Sequence, residues 1–336
     1  MDIMIAVVIP CFRVKAQVLS VLEKIGSSVS QIYVIDDRCP ENTGKHVQTV
    51  CRDPRVRVYF LEKNRGVGGA TLFGFVLAAN AGASIVVKVD GDGQNDPALI
   101  DLLTRPILLG ETDYAKGNRF FCTSYLRGMP LIRKLGNSVL SFLSKISSGY
   151  WRIMDPTNGF VALHTSLLRL IPIGEIHQRF FFESHLLYHL NLIRAKVTDI
   201  PIRAKYAEEK SNLKIRHAIF LFSFLHIVCF AKRIFYSYFV RDFNIGSVQL
   251  FCGIGLIVSG LSFGGWRWWI SSHFGIIATS GTVTLAALPI ILGLQLVLSA
   301  LNYDILTEPS VSLHPYLDRH KQRTKLVKQH PQDLTI

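Results

Sequence analysis

Two carboxylates and an amide alternate with glycine in Asp90-Gly91-Asp92-Gly93-Gln94, directly after the apolar run Ser84-Ile85-Val86-Val87-Lys88-Val89. The β-branched run reads as a buried strand, so the polar residues stand at its exit. Side chains at i and i+2 of an extended backbone point the same way, which lets Asp90 and Asp92 converge on one cation. Hard oxygens from Asp90, Asp92 and Gln94 suit an octahedral Mg2+ or Mn2+ that keeps open positions for a diphosphate. The flanking glycines let a bulky ligand approach the backbone. Taken alone, the same residues also describe a surface Asp-Gly turn.

Other groups able to do chemistry follow in order along the chain. Asp36-Asp37 ends an apolar run, where a carboxylate can accept from a base N–H or a ribose hydroxyl. Arg119, in Lys116-Gly117-Asn118-Arg119, and Arg133 carry the planar fork that grips phosphate oxygens. Asp155 opens the turn Asp155-Pro156-Thr157-Asn158-Gly159-Phe160 and reads either as a base or positioning group toward an acceptor or as an ordinary turn residue. Glu183, after Phe180-Phe181-Phe182, reads as lining the acceptor side, beside aromatics that are themselves core candidates. Asn64-Arg65-Gly66-Val67-Gly68-Gly69-Ala70 looks like a dinucleotide fingerprint but has Thr71 where the last glycine belongs. It reads instead as a loop feeding a helix, with a packing role as the alternative. No histidine is assigned to a metal.

These residues need a scaffold that brings them to one edge. Apolar β-type runs at 5–9 (closed by Pro10), 31–35, 56–61 and 85–89 alternate with helical spacing at 16–25, 44–50 and 68–80. That alternation predicts an α/β fold with a largely parallel sheet. Ligands bind such sheets beyond the carboxyl ends of the strands, where Pro10-Cys11, Asp36-Asp37 and Asp90-Gly91-Asp92 all fall. Later the character changes. Residues 246–270 carry the single charge Arg267 and residues 274–301 carry none. Each exceeds the roughly 20 apolar residues that span a bilayer, with Ser271-Ser272-His273 as the connection between them. Trp266, Arg267, Trp268 and Trp269 fit an interfacial belt. Residues 213–243 are apolar but punctuated by Lys214, Arg216, Lys232, Arg233 and Arg241, which predicts amphipathic helices at the membrane surface. A crossing at 218–231 would be short.

The formal net charge of +13, from 37 basic and 24 acidic residues, fits anionic lipid or phosphorylated substrates. No zinc-finger, RRM-like or basic-zipper pattern is present, so nucleic acid is not an expected partner. The basic residues gather beside the apolar segments and again at Arg319, Lys321, Arg323, Lys325 and Lys328, which predicts that both flanks are cytoplasmic. The six cysteines show no C-x-x-C pair and read as free thiols in a reducing compartment. The start lacks a charged n-region and a cleavage site, so no secretory leader is expected.

In this order, Val8-Ile9-Pro10, Ile35-Asp36-Asp37, Asn64-Arg65-Gly66, Asp90-Gly91-Asp92-Gly93-Gln94, Gly117-Asn118-Arg119, Asp155-Pro156-Thr157-Asn158-Gly159-Phe160 and Phe182-Glu183 resemble family 2 GT-A glycosyltransferases. Within them the pattern resembles the polyprenyl-phosphate branch, the dolichol-phosphate mannose synthases and the GtrB-like undecaprenyl-phosphate glucosyltransferases. The resemblance covers about residues 3–215 by motif and extends to a two-span anchor by architecture. It implies a GT-A (Rossmann-like nucleotide-diphospho-sugar transferase) domain at 1–212, juxtamembrane amphipathic helices at 213–245, a transmembrane hairpin within 246–302 and a basic cytoplasmic tail at 303–336. It implies nucleotide contacts from Pro10, Asp36, Asp37 and Asp90, and a Mg2+ or Mn2+ cofactor on Asp90, Asp92 and Gln94. Arg119, Arg133 and Lys210 would meet phosphates of donor or acceptor; Ala207-Glu208-Glu209-Lys210-Ser211 replaces the Gly-Glu-Ser-Lys kind of run usual there. Asp92, Asp155 and Glu183 stand as the catalytic candidates.

The implied reaction is inverting transfer of a hexose from a nucleotide sugar, of the UDP-glucose or GDP-mannose type, to a polyprenyl phosphate. It would take place at the cytoplasmic face of a bacterial inner membrane and feed cell-surface glycan or lipopolysaccharide modification. A separate flippase and a homo-oligomeric partner are compatible with it. Two alternatives are a family 2 transferase acting on a saccharide or glycerolipid hydroxyl, and an inactive membrane-tethered scaffold that binds nucleotide sugars.

Overall fold

Strands β1 (Ile5–Cys11), β2 (Val29–Asp36), β3 (Val56–Phe60), β4 (Ile85–Lys88), β5 (Tyr114–Asn118), β6 (Val161–His164) and β7 (Val197–Pro201) form one seven-stranded sheet in the order β3-β2-β1-β4-β6-β5-β7. The computed structural model describes residues 3–122, 131–203 and 215–318, without the side chains of 132, 133 and 215–220. Strand β6 alone is antiparallel to its neighbours. Every other strand therefore ends at the same edge, and β6 begins there. The helices are α1 (Val18–Glu23), α2 (Thr43–Val50), α3 (Gly66–Asn80), α4 (Ile100–Leu108), α5 (Leu131–Ser148), α6 (Phe182–Leu192), α7 (Ile215–Phe235), α8 (Ile245–Phe274) and α9 (Ser280–Leu306). This is the largely parallel α/β sheet predicted from the alternating runs. Strand β1 continues past Pro10, because pairing with β4 stops at Val8 and the missing proline N–H forfeits no bond on that side.

The sheet is covered on both faces, which explains why its strands read as unbroken apolar runs. Val8, Ile35, Val86 and Val161 meet Phe75 of α3 and Phe182, Leu186 and Leu190 of α6. Val7, Ile9, Val87 and Ala162 meet Val18, Leu22, Ile100 and Leu103 of α1 and α4. Each such fully buried Leu, Ile or Phe contributes about 1.5–3 kcal/mol. Helix α3 approaches β1 closely at Gly74, where a β-carbon would run into Val8 and come within 3.2 Å of Ile35.

The chain divides into two bodies, residues 1–230 with 309–336, and residues 231–308. In the second, α8 and α9 are both long and apolar enough to cross a membrane. They pack through small residues: β-carbons at Gly253 and Gly293 would each meet the other's carbonyl, and one at Gly260 would lie 2.8 Å from the Ala286 oxygen. Their outer faces, including Phe251, Val258, Leu261, Ile291 and Leu298, are exposed. Such a surface marks contact with a membrane or an apolar partner. The break between them differs from expectation. Ser271, Ser272 and His273 stay helical, and α8 ends at Gly275, whose φ of 64° suits only the left-handed cap. Thr279 then caps α9. Polarity marked the connection too early; backbone freedom set it. Helix α9 also runs beyond residue 301 to place Asp304 against Arg233 at 2.7 and 2.9 Å, with the Tyr238 hydroxyl donating at 2.9 Å. The amphipathic helices expected over 213–245 are one helix, α7, continued by a π-helical turn at Tyr236–Arg241. Its Phe222, Leu225 and Cys229 pack with Phe181, Tyr188 and Leu192, while Phe224 and Ile227 remain exposed.

Of the expected tail, residues 309–318 pack with the first body. The fully buried Asp113, just before β5, accepts from the backbone N–H of Lys196 at 2.9 Å, Leu313 at 2.8 Å and His314 at 2.8 Å, with His314 Nδ1 at 2.9 Å. Ser312 donates to the Gly110 carbonyl. The rings of His314 and His164 stack at 4.3 Å. Burial works against the Asp113 charge, yet these donors outweigh it and hold its pKa below the ordinary 3.8. Its stabilisation is therefore full above about pH 4 and is lost as pH falls below the ordinary value. Asp113→Ala leaves three amides unpaired and is expected to cost about 2–4 kcal/mol. Thermal unfolding of the detergent-solubilised protein checks this, and the deficit should shrink in acid.

Candidate active site

The carboxyl edge of the sheet gathers most of the residues that the motifs single out. Pro10 lies at the end of β1 and Asp36 at the end of β2, with Asp37 following. Asp36 accepts from the N–H groups of Cys39 at 2.7 Å and Gly44 at 2.6 Å, at the start of α2. Asp37 accepts from Arg65 at 2.6 Å and Gly66 at 2.8 Å, at the start of α3. The two neighbouring carboxylates thus hold two helix N-termini, where amide donors have no partner within the helix. Burial pushes the Asp37 carboxyl up, against the two amides that favour its charge. The glycines of 66–69 are packing residues: a β-carbon at Gly66 would lie 2.8 Å from the Gln178 oxygen, and Gly69 N–H donates to that oxygen at 2.9 Å.

Asp90 and Asp92 follow β4. Asp92 accepts from the Gln94 N–H at 3.0 Å, which turns the chain back on itself. Asp90 is held from below by Lys88, whose Nζ lies 2.6 Å from Oδ1, while Asn95 reaches Oδ2 at 3.5 Å. Lys88 is 1% exposed and also donates to the Gly159 carbonyl at 3.3 Å and to Glu183 at 3.4 Å. Burial opposes its charge, but Asp90 and Glu183 outweigh that and raise its pKa above the ordinary lysine value. Glu183, at the start of α6, is pushed up by burial and by Asp90, with Lys88 acting against the shift. Asp90 and Glu183 are thus joined through one ammonium.

Arg119 and Asp155 form the second cluster. Nε and Nη2 of Arg119 each lie 2.6 Å from a different oxygen of Asp155, a bidentate pair whose carboxylate is fully buried. Burial works against the charge of Asp155, and the guanidinium more than offsets it, so its pKa is lowered. Asp155 has a φ of 56°, unusual for a residue with a side chain. Its geometry is that of an anchor that orients Arg119. Under it, Lys116 is 0% exposed and donates to the carbonyls of Met154, at 2.7 Å, and Asp155. It lies 3.8 Å from Asp199. Burial lowers the Lys116 pKa despite the carboxylates nearby.

The sequence reading did not single out Lys88, Lys116 or Asp199. The available signal was a charge inside an apolar strand, visible for Lys88 in Ile85–Lys88 and for Lys116 in Tyr114–Asn118. The Arg133 side chain and Lys210 lie outside the described residues. His185 and His189 stand one helical turn apart, a spacing that can ligate metal, but they pack in an aromatic group with Tyr188. Among the described residues no three His, Cys, Asp or Glu side chains gather as a metal site. The set Asp90, Asp92 and Gln94 supplies two carboxylates and an amide.

The largely parallel sheet with one reversed strand, and carboxylates at its carboxyl edge, has the GT-A fold. Residues 6–171 match the family described as Glycosyl transferase family 2. The chain is similar to UDP-N-acetylglucosamine–dolichyl-phosphate N-acetylglucosaminyltransferase of Methanococcus voltae, 27% identical over 221 residues that cover 62% of this chain and 88% of the relative. It is also similar to polyprenol monophosphomannose synthase of Mycolicibacterium smegmatis, 26% identical over 227 residues that cover 64% and 83%. The resemblance to the polyprenyl-phosphate branch is therefore borne out. Among solved structures, glucosyl-3-phosphoglycerate synthase of Mycobacterium tuberculosis, in complex with UDP, shares the fold with a TM-score of 0.52 at 18% identity, covering 69% of this chain and 80% of that one. That protein also has structures with UDP and Mn2+ or Mg2+.

Gly159 is the tightest point of the site, because a β-carbon there would overlap both Lys88 Nζ and Asp90 Oδ2. Gly159→Ala is expected to displace Asp90 and lower turnover by about 10²-fold. Steady-state rates of the purified variant, beside its unfolding temperature, measure this.

Proposed function

We propose that the protein transfers a hexose from a nucleotide sugar to a polyprenyl phosphate, with inversion, at the cytoplasmic face of a membrane. The observation that carries this reading is the shared sheet edge. It presents Asp90 and Asp92 beside Asp36 and Asp37, and a pre-oriented Arg119, in a chain that also holds two long apolar helices. Relatives named as polyprenyl-phosphate sugar transferases support the acceptor class. So does the exposed stripe Leu131, Leu135, Val139 and Phe142 on α5, a face suited to an apolar partner.

In this reading Asp36, Asp37 and Pro10 flank the nucleoside. Asp90, Asp92 and Gln94 would hold Mg2+ or Mn2+, and their hard oxygens fit such an ion. When bound, the ion supplies neutralisation of the diphosphate leaving group. Arg119, fixed by Asp155, meets phosphate oxygens; Arg133 and Lys210 are proposed to do the same on the acceptor side. The attacking atom is a phosphate oxygen. With a second pKa of about 6 a phosphomonoester is already largely dianionic at pH 7, so the acceptor needs little help from a base. Asp155, committed to Arg119, and Glu183, committed to Lys88, are then orienting groups.

The basic residues Lys232, Arg233 and Arg241 before α8, and those at 319–328 after α9, favour a cytoplasmic catalytic body. Residues 309–318 fold with residues 1–230. A bacterial inner membrane is the proposed location, with a separate flippase as the downstream partner.

The test uses purified protein, Mn2+ or Mg2+, undecaprenyl phosphate and radiolabelled UDP-glucose, UDP-N-acetylglucosamine and GDP-mannose. Metal-dependent label in an organic-soluble, mild-acid-labile product is expected from one donor, and Asp92→Ala should abolish it. Glu183→Gln should retain activity within about tenfold, because no base is needed. Strict dependence on Glu183 at undisturbed stability would favour a hydroxyl acceptor, and no turnover of any donor would favour the inactive scaffold.

A further inference from the structure

Strand β6 lies between β4 and β5, and each neighbour places a lysine opposite the same residue: Lys88 and Lys116 are both in register with Val161. Both point to one face of the sheet, under the loop 154–160 that leads into β6. Both are at most 1% exposed. Lys116 holds the entrance of that loop through the carbonyls of Met154 and Asp155, and Lys88 holds its exit through the carbonyl of Gly159. Each ammonium then reaches a carboxylate beyond the loop, Asp199 for Lys116 and Glu183 for Lys88. The loop needs such a hold, because Asp155 sits in the left-handed region with a bulky neighbour, Pro156.

We propose that Lys88 and Lys116 act together as a positioning clamp: by fixing both ends of the loop 154–160, they set Arg119 through Asp155 and set Asp90 directly. Neither lysine is a catalytic residue. Lys116 acts through Asp155, and the bidentate pair passes its position to the guanidinium. Lys88 ties the same loop to Asp90, so the donor-side carboxylate and the phosphate-side arginine share one support. An apolar residue at either position would leave carbonyl oxygens and a carboxylate without their buried partner. Asp199 completes the Lys116 end, accepting from Asn118 at 2.8 Å and from the Met154 N–H at 2.7 Å.

The activity arm of the test rests on the transferase reading; the exchange arm does not. Lys88→Met, Lys116→Met and the double variant are made in the full chain and studied in detergent. Hydrogen exchange is followed in peptides covering 153–161, with peptides of β1 and β2 as reference. Each single variant is expected to speed exchange in 153–161 by about tenfold and leave β1 and β2 unchanged. Turnover should fall by about 10²-fold in each, and in Lys116→Met nucleoside diphosphate affinity should stay within about threefold. Because one loop is held at two points, the double variant should be little slower than the worse single, a non-additive result. Should the Met variants fail to fold, Asp199→Asn keeps the shape and removes the charge partner of Lys116, and it should loosen the same peptides by a smaller factor.

Unchanged exchange in 153–161, or faster exchange spread evenly over the sheet, overturns the clamp. Additive losses of turnover would show two independent supports and also overturn it. Selective loosening in a protein that turns over no donor would keep the clamp and remove the transferase reading instead.

Discussion

Taking an ammonium out of water costs several kcal/mol unless a carboxylate and hydrogen-bond acceptors come with it. Two strands of the catalytic body that flank β6 each bury one, and the site is largely the set of partners they require. Lys88 gathers Asp90, Glu183 and the Gly159 carbonyl. Lys116 gathers the carbonyls beside Asp155 and the charge of Asp199. The bare α-carbon at position 159 follows from the same demand, since the ion pair fills the volume a side chain would need. Ion pairs of this kind add little net stability compared with apolar packing, but removing one partner is severely destabilising. Their value here is geometric: they allow few alternative arrangements of the loop.

The reversed strand turns this support into a site. With β6 antiparallel between β4 and β5, the loop that enters β6 lands at the edge where β1, β2, β4 and β5 end. A wholly parallel sheet would have delivered it to the opposite edge. Asp155 can therefore face Arg119, which leaves β5 one residue after its end, and Gly159 can lie over Asp90. Asp36 and Asp37 serve the same edge differently. By accepting from the starts of α2 and α3 they fix the two turns that border the proposed nucleoside site.

Much of this was legible because it obeys short-range rules. Runs such as Ile5–Cys11 and Ile85–Lys88 announce strands buried on both faces, and polar residues at their exits mark the carboxyl edge. Motif order carried the family and the GT-A fold. Long-range pairing was not legible. Nothing near residue 119 in the chain indicates that its partner is residue 155, or that residue 88 reaches residue 183. Those contacts depend on the strand order, which local patterns do not specify. The hairpin boundary was misplaced for a different reason. Ser271, Ser272 and His273 are polar yet compatible with a helix, whereas Gly275 has the conformational freedom to end one. Charge counts group residues 309–318 with the basic tail, because they describe composition and say nothing of a buried acceptor, Asp113, that fixes this backbone from 200 residues away.

The same accounting bears on the chemistry. A transferase acting on a hydroxyl must place a carboxylate or imidazole with spare basicity against the acceptor proton. Here Asp155 is held in its charged form by a guanidinium and buried, so protonating it means breaking the bidentate pair. Glu183 is buried against Lys88, and protonating it would leave that ammonium to Asp90 alone. Asp155 therefore resists the proton transfer a general base must make, while Glu183, pushed up by burial, is engaged by a buried lysine. An acceptor that arrives already ionised removes that requirement and asks instead for fixed positive charge and an apolar surface for its tail. Arg119 supplies the first on a rigid mount, and the exposed leucines and phenylalanine of α5 supply the second. The Arg119–Asp155 pair thus fits the phosphate acceptor that the proposed function assigns.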